Sequence, residues 1–135
     1  MSLAMDLGRP RRSVLYMPAS NPRALEKARA LDCDAVILDL EDAVAPDAKT
    51  SARSAAVAAL KDGGFGHREM ALRVNGFGTE WMADDFAAAV AARPDAIVVP
   101  KVDSQAQAEE AARLAYGIPI WAMIESPRAV LDCDR

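Results

Sequence analysis

Short apolar runs rich in β-branched residues alternate with alanine-rich stretches along all 135 residues of the chain. The runs are typical of buried strands, and the alanine-rich stretches are typical of helices. Strand followed by helix at a repeat of roughly 25 to 35 residues predicts βαβ units, a parallel sheet and right-handed crossovers. The predicted strands span residues 13–18, 35–40, 69–75, 96–102 and 118–125.

Three of the predicted helices begin with recognisable capping chemistry. Asn21 is a candidate N-cap with Pro22 at the first helical position, and Thr79 precedes the helical stretch "EWMADDF". Ser104 and Gln107 have the spacing of a capping box. These residues satisfy backbone N–H groups that have no partner inside the helix, so they predict where each helix starts.

Polar side chains stand at the ends of four predicted strands. Because side chains alternate between the two faces of a strand, each series that follows is expected to share one face. The series are Ile37, Asp39 and Glu41; Ala71, Arg73 and Asn75; Ile97, Val99 and Lys101; and Trp121, Met123 and Glu125. Each begins apolar and ends polar, which predicts a charged site at the carboxyl edge of a parallel sheet. For a single strand, a solvated end is the simpler interpretation.

The stretch "VILDLEDAV" places Asp39, Glu41 and Asp42 directly after a buried strand. A buried carboxylate without compensation costs several kcal/mol, so a cation has to neutralise these groups or water has to reach them. Arg73 is a candidate ligand for an anionic substrate, and an interior ion pair with Asp39 or Glu41 is the alternative. We interpret Lys101 as an electrostatic partner of the acidic cluster, with a Schiff-base lysine as the alternative.

The overall architecture is predicted to be α/β. The first strand–helix turn, "MPASNP", is not a glycine-rich phosphate loop, and functional side chains on consecutive strands favour a (β/α)₈ TIM barrel. A typical barrel needs ~250 residues, so we expect only the first five βα units here. Residues 1–11 are expected to be a tag remnant and an N-terminal arm, and residues 12–135 the N-terminal part of one incomplete barrel domain.

Composition narrows the classes of partner. The chain is 52% hydrophobic and 27% charged, with a formal net charge of -4 and charges of both signs interspersed. This predicts a globular domain with no surface for nucleic acid or for anionic lipid. No apolar run approaches the roughly 20 residues of a membrane span, and the expected location is cytoplasmic. Two isolated cysteines and a single histidine make a zinc site improbable.

The motifs "SVLYMPASNPRALEKA", "DAVILDLEDAVAPDAKTSAR", "ALRVNGFGTEW", "IVVPKV" and "IWAMIESPRAV" together resemble the citrate lyase β-subunit group of the HpcH/HpaI aldolase and citrate lyase superfamily. The resemblance implies a TIM barrel of the phosphoenolpyruvate/pyruvate type. It also implies a Mg²⁺-dependent carbon–carbon lyase acting on an acyl thioester and a 2-oxo acid. Homo-oligomers, as trimers or hexamers, and citrate lyase complex subunits are the expected protein partners. HpaI-type aldolases carry a histidine where this chain has Asp42, which favours the thioester branch.

The resemblance also implies roles for individual residues. Glu125 resembles the Mg²⁺ ligand of the fifth strand, and its partner ligand is expected beyond Arg135. Arg73 resembles the arginine that binds the oxo acid, and Glu41 and Asp42 resemble the catalytic acidic pair near the metal.

Arg23 and Lys49 resemble residues that meet the phosphates of coenzyme A. The leading functional hypothesis is a citryl-CoA or malyl-CoA type lyase. An HpaI-type class II aldolase acting on free 2-oxo acids is the enzymatic alternative. A non-catalytic, truncated assembly domain is the other alternative, since five strands would leave an open sheet edge.

Overall fold

The computed structural model describes residues 8–134, and its strands and helices alternate along the chain. Residues 1–7, on which most of the predicted tag remnant falls, and Arg135 lie outside the described residues. The strands are β1 (Val14–Pro18), β2 (Ala35–Asp39), β3 (Glu69–Arg73), β4 (Ala96–Val99) and β5 (Ile120–Ala122). The helices are α1 (Pro22–Ala28), α2 (Lys49–Asp62), α3 (Met82–Ala92), α4 (Gln105–Leu114) and α5 (Pro127–Asp132), with a 3₁₀ turn at Pro46–Ala48 before α2.

All five strands form one parallel sheet in the order β1-β2-β3-β4-β5. Sequential order is the order predicted for a barrel, whereas a doubly wound sheet reverses its order after the first strand. The register aligns Pro18 with Asp39 and Asp39 with Arg73. The last residues of β1, β2 and β3 therefore lie side by side at one edge.

The two faces of the sheet bury different side chains. The helix-facing side carries large aliphatic residues such as Leu38, Leu72 and Val99, all fully buried in the main hydrophobic core. A second, smaller cluster on the opposite face contains Ile37 and Ala71, and it includes residues of β4 and β5. Two covered faces are what a parallel sheet requires, because its strands are apolar on both sides. The second face is the barrel interior.

Two of the three predicted helix starts are confirmed. The Asn21 side chain accepts hydrogen bonds from the backbone N–H groups of Arg23 and Ala24, and Ser104 accepts one from Gln107. The capping box is incomplete, because the Gln107 side chain accepts from Asp103 instead of Ser104.

The prediction for Thr79 is wrong. Helix α3 begins at Met82, and the Thr79 hydroxyl donates to the carbonyl oxygen of Gly76 at 2.8 Å. The threonine therefore closes a turn in the loop between β3 and α3 instead of capping the helix. None of the helices within residues 8–134 has the length and apolar character needed to cross a membrane.

The amino-terminal edge of the sheet is closed by ion pairs with the segment that precedes β1. Arg11 binds Glu69 through two hydrogen bonds of 2.7 and 2.8 Å, and Arg12 binds Asp34 in the same bidentate manner. The Arg11 guanidinium also lies 5.3 Å from the centre of the Trp121 ring. At least this part of the predicted N-terminal arm packs on the sheet; the domain boundary at residue 12 stays a prediction.

Candidate active site at the carboxyl edge of the sheet

A cavity of about 500 Å³ opens where β2, β3 and β4 end. Its walls come from the loops that follow these strands and from the start of α2. The residues that line it include Glu41, Asp42, Lys49, Trp81 and Lys101. Carboxylates and ammonium groups therefore face one space at the edge where barrel enzymes place their chemistry.

Arg73 and Asp39, the last residues of β3 and β2, form a buried, bidentate ion pair next to this cavity. The guanidinium Nε and Nη2 atoms each donate to one carboxylate oxygen of Asp39 at 2.7 Å. Both side chains are almost fully buried, and the Tyr16 ring lies 4.8 Å from the guanidinium carbon. The alternative raised for Arg73, an interior ion pair with Asp39, is therefore present. The third nitrogen, Nη1, donates to Met123 Sδ at 3.8 Å and lies 3.9 Å from a carboxylate oxygen of Glu41.

Asp39 also shapes the loop that carries the other two carboxylates. Its two oxygens accept the backbone N–H groups of Glu41 at 2.9 Å and Ala43 at 3.0 Å. Burial opposes ionisation of Asp39, but the hydrogen bonds from Arg73 and these two amides outweigh it and hold its pKa below the ordinary value. One carboxylate of the motif thus holds the arginine and the loop together.

Glu41 and Asp42 share the ammonium group of Lys101. Lys101 Nζ lies 3.0 Å from a carboxylate oxygen of Glu41 and 3.7 Å from one of Asp42. Burial and hydrogen bonding with Asp42 raise the pKa of Glu41, whereas hydrogen bonding with Glu41 lowers the pKa of the exposed Asp42. Two neighbouring carboxyl groups with pKa values moved apart are typical of an acid–base pair.

The expectation that Lys101 shares one face with Ile97 and Val99 is wrong. Ile97 and Val99 pack in the helix-facing core, while Val98 faces the barrel interior. Lys101 reaches the interior side because β4 has already ended and its φ angle is 52°. This left-handed conformation is uncommon for a residue with a side chain and clusters at functional sites. It turns the lysine toward Glu41.

Glu125 lies at the same edge of the sheet and contacts the backbone of Lys101. The Lys101 N–H donates to Glu125 Oε1 at 2.8 Å, and Glu125 is exposed. Glu125 is thus adjacent to the Glu41–Asp42–Lys101 group, and Arg73 contacts that group through Glu41, at 3.9 Å. Of the four residues expected to line one cleft, Glu41 lines the cavity, whereas Asp39, Arg73 and Glu125 lie at the same edge of the sheet outside its lining. Within residues 8–134, no cluster of three or more acidic, histidine or cysteine side chains is arranged to bind a metal.

The two residues expected to meet coenzyme A have different surroundings. Arg23 is exposed in the first turn of α1, at the carboxyl end of β1. Lys49 is buried, and its ammonium group donates to the carbonyl oxygens of Leu40 at 3.0 Å and Glu41 at 2.7 Å. Lys49 also lines the cavity, and its ammonium group lies 5.1 Å from the centre of the Trp81 ring.

The sequence interpretation missed a buried polar group on α3. Asp85 is fully buried, and it binds Asn75 after β3 and Arg53 of α2. A signal was available, because Asp85 shares the buried face of α3 with Ala89, one helical turn later. The expectation that Asn75 faces the barrel with Arg73 is wrong, because β3 ends at Arg73 and the Asn75 side chain turns toward α3.

Comparison with known proteins agrees with this architecture. The chain belongs to the HpcH/HpaI aldolase/citrate lyase family, which it matches over residues 12–135. A (3S)-malyl-CoA thioesterase from Cereibacter sphaeroides (strain KD131 / KCTC 12085) is 49% identical over 91% of this chain and 43% of its own length. The citrate lyase subunit beta of Leuconostoc mesenteroides subsp. cremoris is 36% identical over 95% of this chain and 46% of its own length.

Solved structures show the same fold. CitE from Mycobacterium tuberculosis, in complex with magnesium, acetoacetate and coenzyme A, has a TM-score of 0.73 and 31% identity over 88% of this chain and 41% of that chain. The resemblance to the citrate lyase group and the barrel fold are thus confirmed. The chain spans less than half the length of these curated relatives, 43% and 46%.

Proposed function

We propose that the complete protein carrying this chain is a Mg²⁺-dependent carbon–carbon lyase. Its substrate is a 3-hydroxyacyl-CoA thioester of the malyl-CoA or citryl-CoA type, and the products are an acyl-CoA and glyoxylate or oxaloacetate. The observation that carries the proposal is the connected set of Arg73, Glu41, Asp42 and Lys101 at the mouth of the barrel. The named relatives, a malyl-CoA thioesterase and a citrate lyase subunit, support the substrate class.

Cleavage of such a thioester makes two demands on the site. A base has to remove the proton of the substrate hydroxyl, and a positive group has to balance the negative charge that develops as the carbon–carbon bond breaks. Arg73 meets the second demand through Nη1, because Nε and Nη2 already bind Asp39. Glu41 and Asp42 are the acid–base pair, and Lys101 holds them together.

Glu125 is the residue of this chain that would hold Mg²⁺. Magnesium prefers oxygen ligands and is often bound through only one or two carboxylates plus water, so a single exposed glutamate beside the acidic group suits it. When bound, the ion acts as a Lewis acid toward substrate oxygens. The second protein ligand stays a prediction for sequence beyond Arg135.

The ammonium group of Lys49, at the cavity wall, and the exposed guanidinium of Arg23 are our candidates for binding coenzyme A phosphates. Both lie at the carboxyl edge of the sheet, where the thioester has to enter. Lys49 points into the cavity from α2 with the Trp81 ring 5.1 Å from its ammonium group.

Hydrolysis of the same thioester is the second candidate, because the 49% identical relative is named a thioesterase. The two reactions give different products. Lysis of malyl-CoA yields glyoxylate and acetyl-CoA, whereas hydrolysis adds water and yields malate and free coenzyme A. An HpaI-type aldolase would cleave a free 2-oxo acid without a thioester. A non-catalytic assembly domain would turn over neither the thioester nor the free 2-oxo acid.

The deciding experiment is an assay of the complete protein with Mg²⁺ and (3S)-malyl-CoA or citryl-CoA. Glyoxylate or oxaloacetate is followed as its phenylhydrazone, and free thiol is followed in a parallel sample. We expect 2-oxo acid in step with acyl-CoA and no free thiol. Free thiol without 2-oxo acid would assign the protein as a thioesterase, and cleavage of a free 4-hydroxy-2-oxo acid without any thioester would favour the aldolase alternative.

Glu125→Gln should weaken Mg²⁺ binding, so that activity partly returns at high metal concentration. The matched control is Glu109→Gln, an exposed glutamate on α4 whose side chain accepts a hydrogen bond from Gln105. The 135-residue chain alone should bind Mg²⁺ poorly by isothermal titration, since we assign it one direct ligand. Tight stoichiometric binding would contradict the assignment of a ligand beyond Arg135.

The prediction of a homo-oligomer, or of citrate lyase partner subunits, is kept as part of this proposal. Large apolar side chains are exposed on the side of the sheet formed by β5 and α5, including Ile124, Val130 and Leu131. The predicted further βα units of the same barrel would cover this face, so the oligomer stays a prediction from the family resemblance alone. Light scattering of the complete protein should give a trimer or a hexamer; a monomer would contradict it.

A further inference from the structure

A continuous buried hydrogen-bond network runs from α2 and α3 to the acidic loop after β2. Arg53 Nε donates to Asp85 Oδ1 at 2.7 Å, and Asp85 Oδ2 accepts both the backbone N–H and the side-chain amide of Asn75, at 2.9 and 2.7 Å. The Asn75 amide also donates to the carbonyl oxygen of Leu40 at 3.0 Å. The network therefore joins two helices to the backbone that immediately precedes Glu41.

The members of this network are withdrawn from water. Asp85 is 0% exposed and Asn75 is 2% exposed. Burying an ionised carboxylate is costly unless hydrogen bonds and an opposite charge compensate it, and here three donated hydrogen bonds do so, one of them from the Arg53 guanidinium. Fully satisfied polar networks of this kind fix one local geometry, because any displacement leaves a buried group unpaired.

The network ends at one backbone group, the carbonyl oxygen of Leu40. The Leu40 carbonyl lies beyond the last residue of β2 and accepts from both Asn75 and Lys49. The Leu40 N–H donates to the carbonyl oxygen of Arg73 at 3.0 Å, so the junction is held on both sides. The contact between Arg53 and Asp85 is enough to join α2 to α3. That contact does not explain why the Asn75 amide also donates to the Leu40 carbonyl.

We propose that Asn75 and Asp85 are positioning residues that fix the Leu40–Glu41 backbone and thereby hold the Glu41 carboxylate between Arg73 and Lys101. The inference rests on the proposed function for its consequence in catalysis, but not for its structural claim. Asp85 lies outside the cavity lining, and Asn75, although it borders the cavity, uses its side-chain amide to bind Asp85 and the Leu40 carbonyl. They act through the position of the loop from Glu41 to Ala43, whose amides bind Asp39.

Hydrogen–deuterium exchange of the 135-residue chain tests the structural claim. Asn75→Ala and Asp85→Asn should each speed exchange of the Glu41 and Ala43 amides by about fivefold, the effect of losing one hydrogen bond of roughly 1 kcal/mol. The amides of β2 itself should change little. The matched control is Asp62→Asn, which removes an exposed charge at the last residue of α2 and should leave all of these amides unchanged.

Uniform acceleration across the sheet in Asn75→Ala would show a purely structural role and would overturn the proposal, as would unchanged exchange at Glu41 and Ala43. Asn75→Ala carries the test if Asp85→Asn fails to fold. In the complete protein, Asn75→Ala should lower kcat about tenfold with little change in KM. A raised KM with an unchanged kcat would contradict positioning of Glu41. If the wild-type protein has no thioester activity, the proposed function fails while the exchange experiment still decides the positioning claim.

Discussion

At the amino-terminal edge of the sheet the buried carboxylate of Glu69 has a guanidinium partner in Arg11, whereas at the carboxyl-terminal edge Glu41 and Asp42 share the one ammonium group of Lys101. The first arrangement balances charge and closes one end of the barrel interior. The second leaves a surplus of negative charge beside a cavity. The amino-terminal edge therefore holds a structural pair, and the surplus of negative charge favours the carboxyl-terminal edge as our proposed place for a cation or a polar substrate.

The largest expected effect comes from breaking the buried pair on the carboxyl side. Arg73→Met leaves Asp39 buried and unpaired, and we expect the free energy of unfolding to fall by about 3–5 kcal/mol. Arg11→Met at the other edge should cost only about 1 kcal/mol, because Arg11 is partly exposed and Arg9 lies 4.0 Å from the same carboxylate. Urea denaturation of each variant measures both values.

The double variant Arg73→Met with Asp39→Leu is the control for this prediction. Replacing both charges by apolar side chains removes the unpaired carboxylate but also removes the acceptor of the Glu41 and Ala43 amides, so it should restore only part of the lost stability. An Arg73→Met variant as stable as the wild type would show that the pair contributes nothing to folding. The large expected loss also means that alanine at this position would confuse stability with activity.

Arg73→Lys is therefore the sharper test of function. The lysine keeps the charge but cannot place two parallel N–H groups on Asp39 and a third on the substrate. Turnover in the complete protein should fall by about 10²-fold or more, the scale for one preorganised donor. The control is Arg12→Lys at the amino edge, for which turnover should not change; equal losses would remove the functional distinction between the edges.

The pH dependence of stability should differ in sign between two neighbouring carboxyl groups. Asp39 has a lowered pKa in the folded state, so its contribution is present above the ordinary value of about 3.9 and is lost as the pH falls through the folded value. Glu41 has a raised pKa, so its contribution is present below the ordinary value of about 4.3 and is lost as the pH rises through the folded value.

Two variants separate these contributions. Asp39→Asn should destabilise the protein more at pH 7 than at pH 3, and Glu41→Gln should be neutral or stabilising at pH 7, where the wild type has to bury the ionised form. Urea midpoints at the two pH values measure the difference. Loss of stability at neutral pH in Glu41→Gln would mean that the ionised Glu41 is a net stabilising group.

The smallest expected effect concerns the shared ammonium group. Lys101→Met removes the positive charge beside Glu41 and Asp42, so the pKa values of both carboxyl groups should rise while stability changes little, because the lysine is mostly exposed. Titration of the carboxyl carbons by NMR measures the shift. Lys61→Met on α2 serves as the matched surface control and should leave both pKa values unchanged.

The sequence by itself determined the βα repeat, the strand order and the family, because apolar periodicity and helix caps act locally and the motifs of the family lie within single elements. It also placed Asp39, Glu41, Arg73 and Glu125 at one edge of the sheet. Only the tertiary structure decided how these charges pair. The face of Lys101 depended on a left-handed residue after β4, and the contacts of Asn75 depended on where β3 ends.

The physical reason is that strand alternation holds only while the strand continues. Once a strand ends, long-range hydrogen bonds choose the direction of each side chain, and Asp39 and Asp85 select partners 34 and 32 residues away along the chain. Such pairings are set by packing of whole elements, which local patterns do not encode. The amino acid sequence thus fixes which groups reach the carboxyl edge, and the three-dimensional packing fixes which of them remain available for chemistry.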